Sequence, residues 1–187
     1  FTMYPRTAVS SERLKEVMDM PISINPNEDG ITETESHGYL EFDNVTFAYP
    51  GHAQSPVIRN VSFTSSPGET VAFIGSTGSG KSTLIQLIPR FYDVSEGQVL
   101  VDGVDVRDYS LTTLRNKIGF IPQKALLFTG TIAENIRYGK EDATQAELER
   151  AAEIAQAADF ISRTPDGFDA HLAEGGTNFS GGQKQRL

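Results

Sequence analysis

One eight-residue stretch constrains this sequence more than any other. Residues 75–82 read Gly-Ser-Thr-Gly-Ser-Gly-Lys-Ser and directly follow the apolar run at residues 71–74. Such a run is typical of a short strand buried on both faces of a parallel sheet, and residues 81–88 are predicted to form a helix. Strand, glycine-rich loop and helix in this order are the context that the pattern G-x-x-x-x-G-K-[ST] requires.

The residue types of this loop suit the binding of a nucleotide's phosphates. Glycines let backbone N–H groups approach phosphate oxygens, and the start of a helix adds partial positive charge. Lys81 is expected to reach the β- and γ-phosphates, and the Ser82 hydroxyl to coordinate Mg²⁺. The predicted nucleotide-binding residues here are Gly75, Ser76, Thr77, Gly78, Ser79, Gly80, Lys81, Ser82 and Thr83.

Composition argues against several other classes of protein. The 187 residues carry a formal net charge of −9 and include no cysteine. The negative charge argues against a nucleic-acid-binding face, and a disulfide framework or thiolate metal site is excluded. No apolar run reaches the ~18 residues needed to cross a bilayer. His37, His52 and His171 have no partners at metal-ligand spacing, and the acidic residues 141–149 are predicted to form a solvated helix face.

The residues before the phosphate loop divide at about position 38. Residues 10–20 are predicted to form a short helix that ends at Pro21, because their apolar side chains recur at helical spacing. Residues 21–38 are polar and contain prolines and a glycine, which favours a linker. We therefore expect residues 1–38 to form a helix and linker, and residues 39–187 to form a domain.

Within that domain, strands are predicted first and helices later. An alternation of apolar and polar side chains indicates the strands. The predicted strands are residues 39–49 with a bulge or turn at Asp43-Asn44, the stretch around Val61 and Phe63, and residues 99–101, 104–106 and 118–121. Beyond residue 130 the pattern becomes helical, and two capping boxes pair Thr131 with Glu134 and Thr144 with Glu147.

A second motif lies about a hundred residues after Lys81. Residues 179–183 read Phe-Ser-Gly-Gly-Gln, and residues 184–186 read Lys-Gln-Arg. The motif resembles the ABC signature, usually Leu-Ser-Gly-Gly-Gln, and its place after the phosphate loop matches ABC transporter nucleotide-binding domains. Its hydroxyl and amide donors at a helix start suit an anion. The resemblance implies contact with an ATP held by a partner domain for Ser180, Gly181, Gly182 and Gln183.

Other positions resemble the same family one at a time. Gln123, in the run Ile-Pro-Gln at residues 121–123, resembles the Q-loop glutamine, which contacts Mg²⁺ and the attacking water. Tyr49 resembles the aromatic residue that stacks on adenine, and Val57 would line the same pocket. The resemblance thus implies Ser82 and Gln123 as the residues nearest the metal.

Two longer segments resemble exporters of the multidrug, lipid and peptide class. They are residues 129–136 and residues 5–13, the second of which joins the last membrane helix to the ATPase in that class. Residues 174–177 stand where such exporters have the X-loop, which touches the membrane domain. The sequence departs from the usual motifs in two places, with Ala173 instead of glycine and Phe179 instead of leucine.

The resemblance implies an α/β P-loop NTPase fold of the ABC type, with an antiparallel β subdomain and a helical signature subdomain. It implies ATP and Mg²⁺ as cofactors, and as partners a second ATP-binding domain and the protein's own transmembrane domain, at the cytoplasmic face of the cell membrane. The sequence ends at Leu187, before the Walker B carboxylates and the switch histidine of the family. We therefore expect the domain to be C-terminally incomplete, and hydrolysis to occur in the full-length protein but not in these residues alone.

Two alternatives remain open at the level of sequence. A soluble ABC ATPase acting on nucleic acid or the ribosome would lack membrane helices before residue 1. A catalytically degenerate, ATP-binding half of a heterodimeric exporter would be recognised by the residue that follows the Walker B aspartate. The transported substrate is chosen by the membrane domain, so no residue of this sequence identifies it.

Overall fold

The structure is a computed structural model that describes residues 3–20, 22–34 and 37–187. It separates into two compact units, Phe1–Gly119 and Phe120–Leu187. The first unit contains a four-stranded sheet, and the second is mainly helical. No helix within the described ranges is long and apolar enough to span a membrane.

The sheet of the first unit is antiparallel. Its strands are β1 (Leu40–Phe47), β2 (Ile58–Ser65), β3 (Glu96–Val101) and β4 (Val104–Asp105), in the order β2-β1-β3-β4. Phe42 and Val45 of β1 are both almost fully buried although three positions separate them. The strand shifts register between them, where Asn44 has a φ of 50°. The predicted irregularity at Asp43-Asn44 is therefore confirmed, and it returns the later apolar side chains to the core.

Two short helices complete the core of the first unit. Helix α2 (Lys81–Leu87) supplies Leu84 and Leu87, and helix α3 (Leu111–Asn116) supplies Leu114. Tyr109 is fully buried among them, and its hydroxyl donates to the Val101 carbonyl oxygen at 2.9 Å. Burying one leucine side chain stabilises the fold by roughly 1.5–3 kcal/mol. Leu84 and Leu87, on the apolar face of α2, therefore fix this helix to the sheet.

Two predicted strands are absent from the described structure. Residues 71–74 and 118–121 have no ladder partner among the described residues. Ile74 is 97% exposed and Ile121 81% exposed, so the prediction of a run buried on both faces was wrong. A strand forms only where a neighbour satisfies its backbone groups, and an apolar pattern cannot supply that neighbour.

The N-terminal helix is longer than its pattern indicated. Helix α1 spans Met3–Met18 and so begins seven residues before the predicted start. Its apolar side chains Leu14, Val17 and Met18 are all more than 60% exposed. Pro21, expected to end the helix, lies outside the described residues.

The described part of the linker is fastened to the first unit. Ile31 N–H donates to the Asp108 carbonyl oxygen at 2.9 Å. Asp102, whose side chain is 2% exposed, accepts from the Gly38 amide at 2.6 Å and the Tyr39 amide at 3.2 Å. Lys117 Nζ lies 3.2 Å from the same carboxylate. Burial by itself would raise the pKa of Asp102, but the hydrogen bonds from Tyr39, Lys117 and Gly38 outweigh it and hold that pKa below its ordinary value.

The second unit is built from short helices and one small strand pair. Its elements are β5 (Gly130–Thr131), α4 (Ile132–Arg137), α5 (Gln145–Ile154), α6 (Ala158–Arg163), β6 (His171–Leu172) and α7 (Gly181–Lys184), with 3-10 turns at Gly167–Asp169 and Glu174–Gly176. Both predicted capping boxes are confirmed, at the starts of α4 and α5. The core includes Ile132, Ala152, Ile161 and Leu172.

The acidic residues near α5 lie at the surface as predicted. Glu147 closes the capping box with Thr144 and also pairs with Lys140, whose Nζ lies 2.6 Å from Glu147 Oε1. The hydrogen bonds from Lys140 and Thr144 lower the pKa of Glu147 to about 2. The Glu147 carboxylate therefore stabilises the start of α5 and does not belong to a buried site.

Candidate functional site

The loop at residues 75–80 turns sharply on glycines before it enters α2. Gly78 and Gly80 have φ angles of 83° and 88°, in the left-handed region that side-chain-bearing residues rarely adopt. A Cβ atom at Gly75 would lie 2.8 Å from Ser79 Oγ. Gly80 stands at the N-cap of α2 without a side-chain cap. Glycine is therefore required at these points by backbone conformation or by space.

The Lys81 side chain folds back onto this loop. Its Nζ donates to the carbonyl oxygens of Gly75 and Ser76, each at 2.7 Å, and to Ser79 Oγ at 3.2 Å. The loop thus holds a positive charge against its own backbone, beside glycines that leave room for a ligand. A phosphate group is the ligand that this combination of ammonium, helix start and small residues fits.

Tyr49 lies beside the start of the same helix. Its hydroxyl is 2.9 Å from Thr83 Oγ1, and Thr83 is buried in α2. The Tyr49 ring packs edge-on against Phe47 and Tyr92, with ring centroids 5.0 and 5.2 Å apart. Neither the bond to Thr83 nor the contact with Tyr92 was predicted, because no local pattern signals a contact between residues so distant in sequence.

Val57 joins the loop to the sheet. Its N–H donates to the Phe47 carbonyl oxygen at 2.8 Å, next to the point where β1 ends. A Cβ at Gly80 would lie 3.1 Å from Val57 Cγ1 and 2.8 Å from Ile58 Cδ1. The structure therefore brings Tyr49, Val57 and the phosphate loop together, although they belong to separate parts of the sequence.

In the second unit, Ser180 caps helix α7. Its Oγ accepts from Gln183 N–H at 3.3 Å, and Gln183 Oε1 accepts from Ser180 N–H at 2.9 Å. This reciprocal pair is a capping box that sequence reasoning missed, although the S-x-x-Q pattern signals it. The Ser180 hydroxyl proton is left available because the oxygen acts as acceptor in this bond.

Gln123 also belongs to the second unit, where its backbone carbonyl oxygen accepts from Gln185 Nε2 at 3.2 Å. Its side chain is exposed. Within the described residues no group of three or more histidine or acidic side chains could hold a metal ion. Mg²⁺ commonly keeps few protein ligands and relies on nucleotide phosphates, and contacts to it from Ser82 and Gln123 both stay predictions.

Comparison with known proteins decides the family. The family model described as ABC transporter matches residues 58–187. An uncharacterised ABC transporter ATP-binding protein of Mycobacterium tuberculosis is 46% identical over 192 residues, which cover 98% of this chain and 32% of that protein. The chain belongs to the ABC transporter family. The matched range includes both the loop at residues 75–82 and the motif at residues 179–183.

Two further relatives of this ABC transporter chain are, by name, a flippase and an exporter. An ATP-dependent lipid A-core flippase of Xanthomonas campestris is 44% identical over 186 residues, covering 99% of this chain and 31% of the flippase. A bacterial Atm1-family ABC exporter, solved with ATP bound, superposes on 97% of this chain with a TM-score of 0.86 and 36% identity. The chain spans about a third of the length of these relatives.

These findings confirm the resemblance to exporter-type ATP-binding domains and the expected fold class. The names of these relatives contain nothing that favours the alternative of a soluble ATPase acting on nucleic acid or the ribosome. Residues 174–177, the predicted X-loop, form a tight turn in which Gly175 and Gly176 have φ angles of 63° and 62°. Phe179, which replaces the usual leucine, packs at the edge of the core of the second unit.

Proposed function

We propose that this chain is the ATP-binding part of a transporter that uses ATP hydrolysis to export a substrate across a membrane. The observation that carries the proposal is the Lys81 ammonium held at 2.7 Å from two loop carbonyls, in the same loop as Gly78, where an added Cβ would meet nothing within 4 Å. The name of the exporter relative supports the direction of transport.

In this proposal the first unit binds the nucleotide. Lys81 contacts the β- and γ-phosphates, residues 75–83 surround the phosphate chain, and Ser82 coordinates Mg²⁺. Tyr49 stacks on adenine, and Val57 lines the same side. The hydrogen bond between the Tyr49 and Thr83 hydroxyls supports this arrangement because it holds the ring next to helix α2, which begins at the phosphate loop.

The second unit acts on the transferred phosphoryl group. The catalytic role proposed for Gln123 is to orient the attacking water and contact Mg²⁺. Residues 180–183 engage the ATP of a second, paired domain, whose own signature engages this ATP in return. Such reactions depend on positioning and on stabilising charge, not on covalent steps by the protein.

The whole protein extends the proposal beyond this chain. Residues 1–38 would connect a transmembrane domain to the ATP-binding domain, residues 39–187, at the cytoplasmic face of the membrane. The carboxylates that complete Mg²⁺ binding and polarise water in this family are not among the 187 residues. We therefore propose that these residues by themselves bind nucleotide weakly at most and do not hydrolyse it.

The role of the signature is tested by Ser180→Ala in the full-length protein reconstituted in lipid vesicles. The hydroxyl contributes a hydrogen bond to a charged phosphate, worth about 1.5 kcal/mol, so we expect kcat for phosphate release to fall about tenfold. Ser110→Ala is the matched control, because the Ser110 side chain also accepts from a backbone N–H three residues later, at the start of α3, without belonging to the signature. Equal rates for the wild type and Ser180→Ala would contradict the proposal.

The role of Tyr49 is tested by two substitutions. We expect Tyr49→Ala to weaken ATP and GTP binding alike, about tenfold, since any purine stacks on the ring. Tyr49→Phe keeps the ring and loses only the bond to Thr83, so it should bind normally while unfolding becomes easier by about 1 kcal/mol. Titration calorimetry with both nucleotides measures this, and a large affinity loss in the Phe variant would show that the hydroxyl binds the ligand.

A further inference from the structure

Three consecutive side chains after the signature reach three different segments of the second unit. They are Lys184, Gln185 and Arg186, at and just beyond the end of α7. Each donates to a backbone carbonyl oxygen outside the helix. Because carbonyl oxygens belong to the backbone, these bonds fix the course of the contacted segments and not only their side chains.

Lys184 holds the tight turn at Glu174–Gly176. Its Nζ donates to the Gly175 carbonyl oxygen at 2.8 Å. Its stem lies against Gly176, where an added Cβ would come within 3.4 Å of Lys184 Cε and 2.9 Å of Leu127 Cδ1. Gly176 is buried by these neighbours. The turn is thus packed under the lysine stem and bonded by a charged donor, which makes the contact stronger than one between neutral groups.

Gln185 holds the backbone of Gln123, since its Nε2 donates to the Gln123 carbonyl oxygen at 3.2 Å. Arg186 secures the far side of the helix. Its guanidinium donates to the Gln156 carbonyl oxygen at 2.9 Å and lies 5.6 Å from the centroid of the Phe160 ring. Arg186 therefore anchors the helix that Ser180 caps. The two residues before Arg186 bond other segments: Lys184 bonds the turn and Gln185 bonds the backbone of Gln123.

We propose that Lys184 and Gln185 are positioning residues for the ATP reaction: they fix Glu174–Gly176 and Gln123 to the helix that presents Ser180. The inference rests on the proposed function, which assigns Gln123 and Ser180 to the reaction. Lys184 and Gln185 each act through a backbone carbonyl oxygen, so that a displacement of Ser180 on binding ATP is shared by Gln123 and by the turn.

The test uses paired variants of the full-length protein. Lys184→Met keeps an apolar stem over Gly176 but removes the donor, and Lys184→Arg restores a charged donor. Gln185→Met and Gln185→Lys form the same pair for the bond to Gln123. We expect kcat for phosphate release at saturating ATP to fall about fivefold in each Met variant, the loss of about one hydrogen bond. KM for ATP should change less than twofold because the first unit is untouched, and the donor-bearing variants should recover most of kcat.

A second readout separates positioning from general weakening. Hydrogen exchange should accelerate at residues 173–178 in Lys184→Met and at residues 121–125 in Gln185→Met, with the rest of the second unit unchanged. Lys140→Met is the matched control, because it removes another lysine pair from the same unit. We expect this control to turn over and exchange as the wild type does.

The outcomes divide clearly. Wild-type kcat in both Met variants, or failure of the Arg and Lys variants to restore it, overturns the inference. Accelerated exchange throughout the second unit would show a merely structural role and also overturns it. If Ser180→Ala remains slow in the same assay while the Met variants are normal, the proposed function stands without the inference. If Ser180→Ala is also normal, the proposed function itself is wrong.

Discussion

Replacing Lys81 with alanine should weaken ATP binding between ten- and a hundredfold without unfolding the chain. The ammonium would contact the phosphates through charge-assisted hydrogen bonds worth roughly 1.5–3 kcal/mol, which corresponds to that range of affinity. In the structure Nζ also bonds the Gly75 and Ser76 carbonyl oxygens and Ser79 Oγ. None of these contacts belongs to the buried core, so the loop loses its charge while the fold is retained.

Calorimetric titration with ATP measures this loss on the wild type and the variant. Lys15→Ala is a suitable control because Lys15 is an exposed lysine of α1, with no bond to the loop. Circular dichroism should give nearly the same thermal midpoint for all three proteins. Equal ATP affinity for the wild type and Lys81→Ala would contradict the proposal that this loop binds the phosphates.

The second large effect is expected at Gly80. Gly80→Ala forces a side chain into the left-handed region at a φ of 88° and places its Cβ 2.8 Å from Ile58 Cδ1 and 3.2 Å from the Val57 carbonyl oxygen. Backbone strain and overpacking together should lower the free energy of unfolding by about 3 kcal/mol. ATP affinity should fall as well, because the loop moves away from Val57.

Gly78→Ala provides the matched comparison. Gly78 has a similar φ of 83°, but nothing lies within 4 Å of the position of an added Cβ. Gly78→Ala should lower the free energy of unfolding by about 1 kcal/mol, through backbone strain alone. Urea unfolding of both variants separates the two contributions. A Gly80→Ala protein as stable as Gly78→Ala would show that the contact between the loop and β2 carries little energy.

Local patterns predicted the local features of this chain. The glycine-rich loop, both threonine capping boxes and the irregularity at Asp43-Asn44 each depend on residues within a few positions of one another. The two strands predicted at residues 71–74 and 118–121 failed for the opposite reason. A strand depends on a partner elsewhere in the chain, and the apolar pattern carries no information about whether that partner is present.

The candidate site was predicted only in part, because several of its contacts join residues that are distant in the sequence. Motif and resemblance selected Tyr49 and the loop, but the bond between Tyr49 and Thr83 depends on how β1 packs beside α2. The contacts of Lys184 and Gln185 were also missed, because lysine and glutamine after a signature look like ordinary surface residues. Their partners are carbonyl oxygens, which every residue has and no sequence pattern marks.

The contacts of the linker with the first unit limit how far α1 can lie from the sheet. If residues 19–39 were unattached, α1 could stand as far as ~70 Å from β1, at the maximum span of about 3.3–3.6 Å per residue. The attachment at Ile31 and Asp108 leaves only the residues up to position 30 to span that gap, which shortens the reach to ~40 Å. Asp102 accepts hydrogen bonds from the Gly38 and Tyr39 amides at the other end of the linker. A pull on α1 would therefore reach the first unit at the Ile31–Asp108 contact, before it reached Gly38 or β1.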